Sequence, residues 1–84
     1  MNNIVKRESF AQTAGSRLFE VHFDGKQGCV YFFVLIARPK INAFINALND
    51  TTKLRNLRDW GDIIKSGYGE PPEELKRELN QKYS

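Results

Sequence analysis

The apolar positions of this chain bunch in one place. Cys29, Val30, Tyr31, Phe32, Phe33, Val34, Leu35, Ile36 and Ala37 follow one another without a polar break, between Gly28 and Arg38-Pro39. The β-branched and aromatic side chains of that run suit a pleated, packed surface. Neither alternate set is polar, so the run predicts a strand buried on both faces. It is far too short for a membrane-spanning helix, which takes roughly 20 apolar residues.

The neighbouring segments are patterned differently. Leu18, Phe19, Glu20, Val21, His22 and Phe23 alternate, with Phe19, Val21 and Phe23 on one face and Leu18, Glu20 and His22 on a mostly wet one. Asp24-Gly25-Lys26-Gln27-Gly28 supplies a short loop, so the two strands predict an antiparallel hairpin. Residues 1–16 are thinly patterned. Ile4-Val5 and Phe10 are isolated apolar points, and Gln12-Thr13-Ala14-Gly15-Ser16 reads as a turn. A strand over residues 4–11 is the preferred reading, against a loosely held terminus.

After Arg38-Pro39 the period changes. Pro39 suits a first helical turn, and Ile41, Phe44, Ile45 and Leu48 recur as one apolar stripe, predicting a helix over 39–48. Asn49-Asp50-Thr51-Thr52 breaks it with capping side chains. Leu54 and Leu57 allow a short helical piece over 53–58. Residues 62–66 predict a short edge strand, with a single helical turn ending at Gly67 as the competing reading. Pro71-Pro72 opens a last helix over 72–82, with Glu73 and Glu74 at its positive end and Leu75, Leu79 and Tyr83 every four residues. Its stripe is narrow, which points to peripheral packing or to contact with another chain.

The pattern therefore predicts a single α+β domain over residues 1–84: an antiparallel β-sheet of three to four strands centred on 29–37, with two or three helices packed on it. Composition agrees, with 84 residues, 40% hydrophobic and 27% charged, in the range of an ordinary globular domain rather than a disordered chain. Net charge is +3. Residues 38–58 concentrate it, with Arg38, Lys40, Lys53, Arg55 and Arg58 against Asp50 alone. This basic patch suits an acidic partner or nucleic acid, and a solvated face is the plainer reading. The single cysteine excludes an internal disulfide, and Cys29 reads as a small buried hydrophobe. The first seven residues hold no apolar signal core, so a cytoplasmic location is the expectation.

Candidate chemistry is sparse. One Cys and one His do not make a zinc site without several carboxylates, so no metal and no cofactor is expected. No Gly-rich loop precedes a Lys-Ser/Thr pair. Ser66-Gly67-Tyr68-Gly69 reads as a turn with positive φ at one glycine, or as a backbone nest for an anion. His22, beside Glu20, is the weak catalytic candidate, a general base in a ribonuclease-like site with Arg17, Arg38 or Tyr31 on phosphate. No spacing places a second acid or base. Tyr31 and Phe33 share one strand face, and exposed they would stack bases; packing under Trp60 and the last helix is the preferred reading.

Trp60-Gly61, then Ser66-Gly67-Tyr68-Gly69-Glu70-Pro71-Pro72 before a charged helix, resembles the C-terminal segment of small uncharacterised bacterial proteins. The resemblance covers about half the chain. It implies a bacterial origin and one compact domain, and it carries no activity. The function expected is a non-enzymatic interaction module that binds another protein or itself as a homodimer, with Tyr31, Phe33, Trp60, Tyr68 and Tyr83 as contact candidates. A basic nucleic-acid-binding protein is the alternative, and a small ribonuclease-like toxin a further one. No membrane partner is expected.

Overall fold

The computed structural model describes residues 3–25, 28–50 and 56–83. Four strands, β1 (Asn3–Gln12), β2 (Ser16–Gly25), β3 (Gly28–Ala37) and β4 (Asp62–Tyr68), form one sheet in that order, every neighbouring pair antiparallel. Two helices complete the α+β fold, α1 (Ile41–Asn49) and α2 (Glu73–Tyr83). The apolar run becomes β3, an inner strand paired along its length with β2 in an unbroken register from Ser16 opposite Ala37 to Gly25 opposite Gly28.

Alternation along β3 divides the core into two layers. Val34 and Ile36 join Phe19 and Val21 of β2 on one face, where Phe44 and Leu48 of α1 and Leu57 close over them. Tyr31 and Phe33 join Leu18 and Ala11 on the other, packed with Leu79 of α2. Phe33 has no exposed surface and Tyr31 keeps 7% of its own. The narrow stripe of α2 thus finds its partner in the chain's own sheet, with Leu75 and Tyr83 flanking Leu79. A helix packs on each face of this apolar strand.

Several local expectations change. Pro39 sits in a 3₁₀ turn, Arg38–Lys40, and the α-helix starts only at Ile41; a tight turn is a common way to enter a helix. Residues 51–55, which include half of the helical piece expected over 53–58, lie outside the described residues; Leu57–Asp59 is a 3₁₀ turn, capped by the Asn56 side chain, which accepts from the Arg58 N–H at 3.1 Å. β1 is a full strand, with two register shifts, and β4 extends to Tyr68. Opposite Phe33 and Val34 the β4 register slips by one residue, so Ile63 packs with the α1 layer and Ile64 with the α2 layer. Cys29 is exposed, not buried. It lies one residue from the hairpin end, opposite Asp24, and belongs to neither core layer.

Candidate functional site

Glu20 and His22 are two apart on β2 and so share a face. Their side chains meet, with His22 Nε2 and Glu20 Oε2 2.6 Å apart, a short charge-assisted contact. The expected wet face is in fact dry: each side chain is 3% exposed. The cause is tertiary. α2 packs on the same face of the sheet, with Leu79 in one cluster with Leu18, Tyr31 and Phe33, and two polar groups that satisfy each other can remain beneath it.

Tyr31 is the cross-strand neighbour of His22, ring centroids 6.3 Å apart, and Phe33 follows at 5.8 Å from Tyr31. The other members of the ribonuclease-like set do not join them. Arg17 lies on the opposite face, its guanidinium carbon 5.9 Å from the Phe19 ring centroid. Arg38 follows the end of β3, its backbone N–H donating to the Gly15 carbonyl at 3.0 Å. With its side chain 3% exposed and its Nε2 against Glu20, the His22 imidazole is arranged as a buried partner of that carboxyl group, away from solvent.

The candidate contact rings separate by exposure. Tyr31 and Phe33, contact candidates whose packing under Trp60 and the last helix is the preferred sequence reading, are enclosed by α2 and Phe10, whose ring meets Phe33 edge-on at 5.1 Å. Trp60 does not cover them. It is half-buried in the α1 layer, 5.8 Å from the Phe44 ring. Tyr83 is half-buried against the α2 layer. Tyr68, at the end of β4, is 74% exposed and is the large hydrophobic side chain that the described residues leave in solvent.

β4 is the last strand of the sheet, so one side of its backbone is unpaired by the sheet. Along it runs an open groove of about 600 Å³ lined by Arg58 and by Gly61, Asp62, Ile63, Ile64, Lys65 and Ser66. The Gly69 N–H donates to the Cys29 carbonyl at 2.8 Å. Antiparallel alternation from that pair turns the Lys65 and Gly67 N–H groups toward β3 and those of Ser66 and Tyr68 outward. Gly69 itself has φ 75°. Its N–H is engaged by Cys29, and the turn expected over Ser66–Gly69 is confined to Gly69, because Ser66, Gly67 and Tyr68 belong to β4.

Of the basic patch, Arg38, Lys40 and Arg58 are exposed, and Lys53 and Arg55 lie outside the described residues. Arg38 and Arg58 line different cavities. Among the described residues no cluster of three or more His, Cys, Asp or Glu side chains is placed to hold a metal ion, and no helix is long and apolar enough to cross a membrane. Two features were hidden from sequence reasoning: the β4 groove, which needs the register slip at Ile64, and the proximity of Arg17 to Arg38, which needs the β-meander to bring the first turn beside the end of β3. Compared with protein-family models, curated proteins and solved structures, the chain matches none of them.

Proposed function

We propose that this chain is a small non-enzymatic interaction module of the bacterial cytoplasm, and that its partner is another protein supplying an extended segment along β4. The observation that carries this is the exposed Tyr68 at the end of an outer strand whose backbone has one open side. Strand addition uses these parts: backbone pairing for affinity and side-chain pockets for choice of partner. Ile63 and Ile64, half-buried in the groove wall, offer apolar contact, and Asp62, Lys65 and Arg58 offer charge of both signs. The register slip and the charged residues restrict which segment pairs, since bulges and charges on an edge discourage indiscriminate association.

Burial of the single histidine against Glu20 supports the non-enzymatic reading. Self-association through the Tyr31 and Phe33 face would first require α2 to leave it, so a heterologous partner is the better fit. The test is capture of a partner by the tagged protein, followed by binding measurements with Ser66→Pro and Tyr68→Ala. Proline at 66 removes an outward N–H and is tolerated on edge strands. Binding lost in both variants, with their melting temperatures kept, supports the reading. Binding unchanged in both, or a partner released only by α2 substitutions, contradicts it.

A further inference from the structure

The end of the sheet opposite the β2–β3 hairpin holds a second cavity, of about 290 Å³, lined by Gln12, Thr13, Ala14, Ser16, Arg17, Arg38, Ile41 and Asn42. Ligand pockets usually run from about 300 to 1,000 Å³, so this one has room for a small group and little more. Its wall holds two guanidinium groups, two hydroxyls and two carboxamides, and no carboxylate.

The cavity is framed by structure that fixes its shape. The turn between β1 and β2 is closed by Thr13, whose N–H donates to the Ser16 carbonyl at 3.0 Å and whose hydroxyl lies 3.0 Å from that of Ser16. The Arg38 N–H, bonded to the Gly15 carbonyl, pins the other wall to the same turn. Arg17 is held from two sides, over the Phe19 ring and through an Nη2 hydrogen bond of 3.3 Å to Gln12 Oε1. Its Nε is buried and has no hydrogen-bond partner, the side-chain atom among the described residues left in that condition. A buried donor without an acceptor is costly.

An acceptor-only oxyanion entering the cavity meets two arginines in a wall that holds no carboxylate. A carboxylate has two oxygens, whereas a phosphoryl group brings three for the donors of Arg17, Arg38, Ser16 and Asn42, in the geometry that arginine forks recognise. We propose that this cavity is a binding site for the phosphoryl group of a small phosphate ligand, with Arg17 and Arg38 as its two cationic walls. The site stands apart from the β4 groove and does not depend on the strand-addition reading.

Amide and arginine Nε–Hε resonances of the labelled protein, titrated with inorganic phosphate and separately with glycerol 3-phosphate against sodium chloride of equal ionic strength, test this. The expected result is saturable movement of the Arg17 Nε–Hε signal and of the amides of 13–17 and 38–42. Tighter binding of glycerol 3-phosphate than of phosphate identifies a phosphomonoester as the ligand, and equal binding identifies the free ion. Arg38→Gln, an exposed change that leaves the core alone, should weaken binding about tenfold, the loss of one charge-assisted contact. Lys65→Gln, in the other groove, should leave it unchanged. Shifts that do not saturate, that chloride reproduces, or that Arg38→Gln leaves intact overturn the proposal. So does saturation by a single-stranded oligonucleotide when glycerol 3-phosphate produces none.

Discussion

Replacing Gly67 by alanine probes the dry face of the sheet at a point where the geometry is tight. A Cβ on Gly67 would lie 2.6 Å from the Tyr31 hydroxyl oxygen and 2.8 Å from two of its ring carbons. A ring end is usually free to swing aside. This one is 7% exposed, with Phe33 at 5.8 Å and His22 at 6.3 Å between centroids, so it has little room to yield. Overpacking of this kind costs about 1–3 kcal/mol, against a gain of about 0.5–1 kcal/mol for removing glycine from a strand interior. The net expectation for Gly67→Ala is a loss of up to about 2.5 kcal/mol, centred at about 1 kcal/mol, or about 4–8 °C in melting temperature. Urea unfolding followed by the fluorescence of Trp60 measures it, as a lower midpoint at unchanged slope. In a Tyr31→Leu background the obstacle is gone and the same substitution should be neutral or stabilising, a coupling a double-mutant cycle isolates. An equal effect of Gly67→Ala in both backgrounds would refute the placement of the Tyr31 ring.

The buried pair gives a second expectation: Glu20→Leu leaves His22 without this partner and costs about 3–5 kcal/mol, while adding His22→Leu restores part of the loss, read from the same unfolding midpoints. Phe33→Ala should cost about 3–5 kcal/mol, whereas Tyr68→Ala should stay within about 0.5 kcal/mol, so calorimetry distinguishes a core ring from a contact ring. RNA incubated with the protein should remain intact; cleavage that His22→Ala abolishes would require a path to His22 that the packing of α2 closes. Binding of nucleic acid, if the basic residues serve that role, should weaken steeply with salt and with charge removal at Arg38, Lys40 and Arg58; absence of binding at low salt favours the protein partner.

Much of this architecture was legible because its signals are local. Phe19, Val21 and Phe23 against the run from Cys29 to Ala37, with Asp24-Gly25 between, define a hairpin from periodicity and turn chemistry alone. The stripe of Ile41, Phe44, Ile45 and Leu48 defines a helix for the same reason. What was not legible depends on distant contacts. Glu20 and His22 are polar, and polarity at alternate positions reads as a solvent face; they lie instead on the face that α2 joins much later in the chain, and they meet in a 2.6 Å contact. Trp60 joined the α1 layer and not the Tyr31 layer because the chain enters β4 on that side, beside Phe44. Cys29 belongs to an apolar run in sequence and to a hairpin end in space. The Arg17–Arg38 cavity joins residues from a first turn and a strand end that no spacing relates.

The central claim is that the second face of β3 is covered by the chain's own α2. Isotope-filtered nuclear Overhauser spectra on a mixture of labelled and unlabelled protein test it most directly. Contacts from the Leu79 and Leu75 methyl groups to the rings of Tyr31, Phe33 and Phe10 should be present and wholly intramolecular. Their absence, or their appearance only between labelled and unlabelled molecules, would mean that a second copy covers this face and would contradict the account.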